Sequence, residues 1–256
     1  FGVPVGGRQV LDLTTLTAAQ GFIIQGDSAI DGLGLSVSAA GDVNGDGIGD
    51  LIVGAPDGGS MQISAGKAYV IFGSRGGFGV DVAGRQVLDV GTLAAAQGFV
   101  IEGDALDDTL GLSVSAAGDV NGDGIDDLIV GAPRGDDGGS NAGEAYVIFG
   151  SRGGFGVDVG GRQVLDATTL TAAQGFIIQG DAEGDFAGVS VSAAGDLNGD
   201  GIDDLIIGAT YGSDGGFYAG EAYVVFGSHD GFGVPVGGRQ VLDLTTLTAA
   251  QGFIIQ

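Results

Sequence analysis

The chain repeats itself every 77 residues, and this period constrains its fold more than any other feature. The segment DVNGDGIGD begins at residue 42, and its copies DVNGDGIDD and DLNGDGIDD begin at 119 and 196; 119 minus 42 and 196 minus 119 both give 77. Periods of this length are typical of propellers, solenoids and bead-like arrays, in which each unit buries its faces against its neighbours.

The period predicts three units, at residues 26–102, 103–179 and 180–256, after an N-terminal segment of residues 1–25. That segment is identical to residues 232–256, whereas 78–102 differs from it at seven positions and 155–179 at two. Three units therefore form a longer period of 231 residues, which is three times 77. We expect residues 1–25 to be a surplus fourth strand without a unit of its own.

Each unit reads as four short β-strands. In the first unit they are predicted at 33–42, 50–56, 67–73 and 98–103, which are rich in Val, Ile, Tyr and Phe and bounded by Gly, Asp or Pro. Runs such as LIVGA do not alternate apolar with polar residues, so these strands are expected to be covered on both faces. The segment 85–97 is ambiguous, and we predict a short helix there.

The composition excludes several classes of partner and site. With 33 acidic and 8 basic residues the formal charge is -25, which argues against binding to nucleic acid or to an anionic membrane. No apolar run approaches the ~18 residues of a membrane helix, so membrane insertion is not expected. The absence of cysteine excludes a disulfide scaffold and a thiolate metal site.

A nine-residue loop joins the first predicted strand of each unit to the second, and we call it the aspartate loop. Asp or Asn occupies positions 1, 3, 5 and 9, Gly at position 6 allows a sharp turn, and Ile at position 7 offers its backbone carbonyl. An all-oxygen cage of flexible geometry favours Ca²⁺ over Mg²⁺, and zinc would require His or Cys. The predicted ligands are Asp42, Asn44, Asp46, Ile48 and Asp50; Asp119, Asn121, Asp123, Ile125 and Asp127; and Asp196, Asn198, Asp200, Ile202 and Asp204.

The loop begins like an EF-hand but ends earlier. An EF-hand has a bidentate Glu at position 12, where this chain has Val53, Val130 and Ile207, so the aspartate at position 9 is predicted to be the bidentate ligand. The alternative is that Asp, Asn and Gly simply form a turn. Two carboxylates ~4 Å apart repel by roughly 1 kcal/mol in water, which argues for a cation in three copies of such a loop. We expect about three Ca²⁺ ions per chain, which would stabilise the fold.

Four motifs recur in the same order: a glycine-led first strand, the D-x-N-x-D-G-x-x-D loop, DLIVGAP and AYVIFG. This order resembles the FG-GAP repeat of integrin α-subunit propellers and of many bacterial surface proteins, and the resemblance covers all three units. The Phe of the FG pair is replaced by Leu33, Leu110 and Ala187, GAP becomes GAT at residues 208–210, and the long unit is similar to bacterial versions. The resemblance implies an all-β, propeller-like array of four-stranded antiparallel blades, three per chain plus the surplus N-terminal segment, with Ca²⁺ in the hairpin between strands one and two.

In an up-and-down blade the connections alternate between two ends. The aspartate loops should share one end with the long connectors between strands three and four, and the opposite end should carry the variable loops 57–66, 134–143 and 211–220, together with 26–34 and its copies. Loops on a rigid scaffold often carry recognition, so a protein or glycan ligand is expected at this opposite end. Tolerated variation in exposed turns is the equally weighted alternative.

Several residues that suggest a function have simpler explanations. The tripeptide Arg134-Gly135-Asp136 is one that integrins read, but a loop rich in Gly and Asp produces it readily. Pairs such as Asp27 and Asp31 recur in every unit, unlike catalytic carboxylates. His229, the only histidine, is expected in an exposed turn, and the aromatic residues of strand three are expected to pack in the blade.

Two functional classes are compatible with these features. The first, which we favour, is a non-enzymatic, calcium-stabilised structural or adhesive module of an extracellular or cell-surface protein of bacterial type, where millimolar Ca²⁺ fills even weak sites. The second is a propeller attached to, or forming, a carbohydrate-active or hydrolytic enzyme. Catalysis needs a cluster of unlike residues that breaks the repeat, so a pocket lined by residues of only one unit would favour the second class.

Three blades are too few to close a propeller ring, which has about four to eight. We therefore expect this chain to self-associate or to continue with identical repeats, as a ring or a filament, rather than to behave as a closed monomer. Pairing of residues 20–25 within the third blade, in place of 252–256, would contradict this expectation.

Overall fold

A computed structural model describes residues 2–58 and 64–256, and its regular structure consists of short β-strands and four 3₁₀ turns. The predicted all-β fold is confirmed. Before the first unit come β1 (Val3–Val5), β2 (Arg8–Val10), a 3₁₀ turn (Leu13–Thr15) and β3 (Ile23–Gln25). Part of the predicted variable loop 57–66 lies outside the described residues.

Each unit then contributes six strands in the same order. The first has β4 (Val37–Gly41), β5 (Asp50–Ala55), β6 (Lys67–Ile71), β7 (Val80–Val82), β8 (Arg85–Asp89) and β9 (Gly98–Glu102). The second has β10 (Ser113–Gly118), β11 (Asp127–Ala132), β12 (Glu144–Ile148), β13 (Val157–Val159), β14 (Arg162–Asp166) and β15 (Gly175–Gln179). The third has β16 (Ala187–Gly195), β17 (Asp204–Ala209), β18 (Glu221–Val225), β19 (Val234–Val236), β20 (Arg239–Asp243) and β21 (Gly252–Ile255). A 3₁₀ turn precedes the last strand of each unit, at Val90–Thr92, Ala167–Thr169 and Leu244–Thr246.

Four antiparallel strands of each unit form the blade that the sequence predicts. In the first unit the order is β4-β5-β6-β9. Gly41 pairs with Asp50 and Ile71 with Gly98, so the aspartate loop and the long connector share one end, which we call the loop end. The central strand β11 is buried at every residue, as the absence of alternation predicts.

The segment predicted as a short helix at 85–97 is mostly a strand. Residues Arg85–Asp89 form β8, which makes a hairpin with β7, and only the 3₁₀ turn Val90–Thr92 is helical. Val87 and Leu88 are almost completely buried against a neighbouring unit, and this packing overrides the local helical tendency of the alanine-rich residues that follow. We call the hairpins β1–β2, β7–β8, β13–β14 and β19–β20 the outer hairpins.

Each outer hairpin pairs with the blade of the preceding unit. Strand β14 runs parallel to β9, with Val164 opposite Val100, and β20 runs parallel to β15, with Val241 opposite Ile177. The first two blades are therefore parts of six-stranded sheets, whereas the third sheet has four strands. Successive units interlock through main-chain hydrogen bonds and are not simply stacked side by side.

Adjacent blades also approach closely at their inner strands. The first strands β4, β10 and β16 lie against one another, and the Val114 amide donates to Ser36 Oγ at 3.0 Å. A Cβ atom on Gly54, the glycine of GAP, would overlap the carbonyl group of Gly111, the glycine that leads the next first strand. Two motif glycines thus meet between blades, which explains in physical terms why both positions require glycine.

The two ends of the chain are placed as the repeat predicts. Strand β21 pairs with β18 and completes the third blade, while β3 pairs with β8 of the first unit. Residues 20–25 therefore do not replace 252–256. Among the residues that the structure describes, no helix has the length and apolar character needed to cross a membrane.

Candidate metal centre and carboxylate pockets

Each aspartate loop is wound around its own side-chain oxygens. In the first loop, Asp42 Oδ1 and Asn44 Oδ1 both accept from the Asp46 amide, at 3.0 and 2.9 Å, and Asp42 Oδ2 accepts from the Gly47 amide. Asp46 Oδ1 accepts from the Ile48 amide at 2.8 Å. The other two loops repeat this pattern. The oxygens at positions 1 and 3 are therefore neighbours in all three loops.

The aspartate at position 9 is buried and fixes the loop to the blade. Asp127 accepts from the Val120 amide at 3.0 Å through one oxygen and from the Gly150 amide at 2.8 Å through the other. Asp50 and Asp204 make the same two bonds. Burial raises the pKa of Asp127 to about 7, although these hydrogen bonds oppose the shift, and burial also raises the pKa of Asp50. A nearby cation would favour the charged form of both.

The donor set suits a hard cation. Carboxylate and amide oxygens lie side by side at positions 1 and 3, the position 5 aspartate is exposed, and the position 9 carboxylate is held in place with lone pairs still available. The isoleucine at position 7 packs its side chain toward a connector glycine, as Ile48 does toward Gly73. The assignment of these residues as metal ligands stays a prediction.

Successive aspartate loops contact one another at the loop end. The Asp42 amide donates to Asp126 of the next loop at 2.7 Å, and the Asp119 amide donates to Asp203 at 3.0 Å. His229 lies in an exposed turn, as predicted, and its Nδ1 is 3.0 Å from the carbonyl oxygen of Asn121. The loops thus form a continuous row across the three blades.

The tightest carboxylate clusters lie at the opposite end of the blades. Among the described residues, oxygens of three carboxylates come within 4.8 Å of one another at Asp104, Asp108 and Glu144, and again at Asp181, Asp214 and Glu221. These acidic clusters have the composition of metal sites. We call them, with their neighbouring residues, the carboxylate pockets of the second and third units.

An arginine from the next unit occupies the carboxylate pocket of the second unit. Arg239, from the outer hairpin β19–β20, forms ion pairs with Asp104 and Asp137. The Asp137 amide donates to Glu144, whose carboxylate lies within hydrogen-bond distance of the Tyr146 hydroxyl. Burial raises the pKa of Glu144 to about 7, because its charged form is poorly solvated.

The first and third units vary this arrangement. In the first unit, Arg162 of the next outer hairpin pairs with Asp27 at 3.3 Å, and Lys67 stands where the second unit has Glu144. In the third unit, Asp181, Asp214 and Glu221 occupy the same positions, and no arginine or lysine pairs with them among the described residues. The third pocket therefore carries an uncompensated negative charge.

The sequence reasoning missed these arginine contacts. It treated Asp27 and its copies only as unlikely catalytic groups, and it did not assign a role to the arginine of GRQVLD. The signal was present, because Arg162 follows Asp27 by 135 residues and Arg239 follows Asp104 by the same number. Opposite charges that recur at one offset in a repeat protein indicate contacts between units.

Four surface cavities are lined at positions that recur in the repeat. Three of them surround the turns at 74–79, 153–156 and 227–233. The fourth, of about 340 Å³, lies between the blades and is lined by equivalent positions of the three units, among them Leu35, Leu112 and Val189. In the tripeptide at 134–136 the central Gly135 is buried, so the three residues are not displayed together.

Comparisons with known proteins agree with this architecture. The family model of the FG-GAP repeat matches residues 33–71, 110–148 and 187–225, which run from the first to the third strand of each blade. Mouse (Mus musculus) integrin alpha-7 is 30% identical over 187 residues, which cover 73% of this chain and 13% of that protein. Bovine (Bos taurus) phosphatidylinositol-glycan-specific phospholipase D is 32% identical over 202 residues, which cover 75% of this chain and 21% of the relative.

A third relative shows the same partial correspondence. Integrin alpha-5 of Xenopus laevis is 29% identical over 220 residues, or 81% of this chain and 18% of that protein. The chain thus spans about a fifth or less of the length of these curated relatives. The motif matches, the blade topology and the glycine contacts between blades agree with one another, and the chain is a tandem array of FG-GAP repeats of the type found in integrin α-subunits.

Proposed function

We propose that this chain is a non-enzymatic, calcium-stabilised structural and adhesive module of an extracellular or cell-surface protein. The observation that carries the proposal is the row of three aspartate loops at one end of the blades. Each loop offers carboxylate, amide and carbonyl oxygens, and each is tied through its position 9 aspartate to the connector between strands three and four. Ions bound there would hold together the end of the sheet at which strand pairing stops.

The net charge supports the same proposal. Three Ca²⁺ ions would reduce the formal charge from -25 to -19, since three ions carry six charges, and would offset repulsion between loops in contact. When Ca²⁺ is bound, it supplies a positive charge to which several oxygens turn at once. The residues that would hold it are the Asp, Asn and Ile positions of the three loops.

Thermal unfolding tests the proposal directly. We expect the midpoint of unfolding to rise with Ca²⁺ concentration and to rise less with Mg²⁺ at the same concentration, because an ion that binds only the folded state stabilises it by mass action. Isothermal titration should give about three sites per chain. A midpoint that is the same in Ca²⁺ and in chelator would contradict calcium stabilisation.

A ligand-binding role is proposed for the end of the blades opposite the aspartate loops. Its support is that the loops at 134–143 and 211–220 lie on a rigid blade and differ between units. A protein or glycan would be the partner. Exchange of residues 211–220 for 134–143 should alter ligand binding and leave calcium-dependent stability unchanged.

The second candidate function is a scaffold within a hydrolytic enzyme. The similarity to a phospholipase D favours it, because that relative combines a similar segment with a hydrolase name. The four cavities argue for the first function, since each is lined at positions that recur between units, whereas a catalytic site requires unlike residues.

A further inference from the structure

The junction between the second and third units shows how one repeat receives the next. Strand β20 lies parallel to β15, and Val241 and Leu242 are 5% and 3% exposed there. Phe232 stacks on Phe176 with ring centroids 4.0 Å apart. The guanidinium group of Arg239 completes the junction in the carboxylate pocket formed by Asp104 and Asp137.

The third unit presents the receiving half of the same junction. Strand β21 pairs only with β18 among the described strands, and its residues Phe253, Ile254 and Ile255 are 37–48% exposed. The equivalent residues of β15 are at most 1% exposed. In the adjoining carboxylate pocket, Asp181 Oδ1 is buried without a hydrogen-bond partner among the described residues.

The N-terminal outer hairpin presents the other half. Strands β1 and β2 form a two-stranded sheet of their own. Val10 and Leu11 are each 39% exposed, and Leu13 is 65% exposed, although the equivalent Leu244 is 2% exposed in its junction. Arg8 is exposed and has no ion pair among the described residues.

The two halves match residue for residue. Residues 3–13 and residues 234–244 have the same sequence, VPVGGRQVLDL, and residues 252–256 and 175–179 are both GFIIQ. Asp181 and Asp214 stand 77 residues after Asp104 and Asp137. We propose that residues 3–13 of one copy of this chain bind β21 and the carboxylate pocket of the third unit of a second copy, with Arg8 between Asp181 and Asp214.

A cation could be considered for this pocket in place of an arginine. The second unit favours arginine, because the corresponding carboxylates there pair with the guanidinium group of Arg239. A metal ion alone would leave the apolar residues of β21 exposed to water, whereas the hairpin would cover them. The junction lies at the end of the blades opposite the aspartate loops, so it is independent of the proposed calcium sites.

Charge reversal tests the proposed contact. Sedimentation velocity of the chain should show assembly that increases with concentration, and Arg8→Glu or Asp181→Arg should each weaken it by roughly tenfold or more. Equimolar mixing of the two variants should restore assembly, because both mixed junctions bring opposite charges together. Arg85→Glu, in an outer hairpin that already pairs with β3, is the matched control and should have no effect. A chain that stays monomeric at all concentrations, or assembly lost with Arg85→Glu but kept with Arg8→Glu, would overturn the proposal.

Disulfide trapping tests the register, since the chain has no cysteine of its own. Val10 and Ile254 correspond to the directly opposed pair Val241 and Ile177, and both are partly exposed, so substitution should preserve the fold. Oxidation of Val10→Cys/Ile254→Cys should give covalent dimers and larger species, and Val87→Cys/Ile254→Cys should give none. Cross-linking within a single chain would overturn the assignment to a second copy, and saturation of the pocket by Ca²⁺ without assembly would assign it to a metal.

Discussion

The aspartate at position 5 is the residue that best distinguishes a metal site from a turn, because it is exposed and makes one hydrogen bond within its loop. We expect Asp46→Ala to lower the unfolding midpoint in Ca²⁺, by roughly 2–4 °C for each kcal/mol of lost stability. In chelator the change should be small, since only the bond from the Ile48 amide is lost. Differential scanning calorimetry in both conditions gives the comparison, and an equal loss in both would mean that the loop is only a turn.

The three loops should respond separately if each holds its own ion. Asp123→Ala and Asp200→Ala are the equivalent changes in the second and third loops. We expect the effects of Asp46→Ala and Asp200→Ala to add, because their loops are separated by the loop of the second unit. Calorimetry of the double variant measures this, and a large departure from additivity would indicate one shared site.

Glu144 should make stability depend on pH. Burial raises its pKa to about 7 from an ordinary value of 4.5, so the folded protein binds this proton more tightly than the unfolded chain. The resulting contribution is complete below about pH 4.5 and is lost as the pH rises through 7. Glu144→Gln should therefore stabilise the protein by about 1–3 kcal/mol at pH 8 and change little at pH 4.

Urea denaturation at the two pH values measures this effect. Glu183→Gln, an exposed change, is the control and should show no difference. The groups around Glu144 are Asp104, Asp137, Tyr146 and the arginine Arg239. Destabilisation by Glu144→Gln at pH 8 would show that its negative charge is needed to hold that arginine.

At the level of elements, the outer hairpins should contribute stability only where they are docked. Leu165 in β14 is 2% exposed, whereas Leu11 occupies the same GRQVLD position in the undocked hairpin and is 39% exposed. We expect Leu165→Ala to cost about 2–5 kcal/mol and Leu11→Ala less than about 1 kcal/mol. Urea denaturation of dilute protein provides the comparison. Equal costs would mean that the docked hairpin does not stabilise the first blade.

The glycine contacts between blades allow a matched test of close packing. A Cβ on Gly131 would overlap the carbonyl group of Gly188 in the next blade, whereas a Cβ on the equivalent Gly208 would meet only ordinary contacts at 3.6 Å. We expect Gly131→Ala to destabilise the protein by roughly 1–3 kcal/mol, and Gly208→Ala to be neutral or slightly stabilising. Thermal unfolding measures both, and similar losses would indicate that blade separation is not the cause.

The sequence predicted the blade well because its strands carry their own signals. DLIVGA and AYVI are apolar, β-rich and bounded by glycine or aspartate, and they became β5 and β6 and their copies. The outer hairpins were not predicted, because Val87 and Leu88 form a strand only through pairing with a segment of another unit. The carboxylate pockets were missed for the same reason, since Arg239 and Asp104 are 135 residues apart.

At the level of the whole molecule, protection should be greatest in the middle. The second blade packs against a blade on each side and its fourth strand is covered by β20, whereas β21 and segment 3–25 are partly exposed. Hydrogen exchange of dilute protein should be slowest in β11, β12 and β15 and fastest in β1, β2 and β21. Uniform protection would indicate that the array unfolds as a single unit.

The outermost strand of each sheet limits where further strands can be added. The first strands of the outer hairpins read V-D-V or V-P-V, so the exposed edge presents Asp158 in one sheet and Pro235 in another. A charged residue or a proline at the middle of a short edge strand disfavours unwanted sheet extension. Duplication or loss of a whole unit would therefore change the length of the array without creating an aggregation-prone edge, and the number of units can vary in evolution at little risk to solubility.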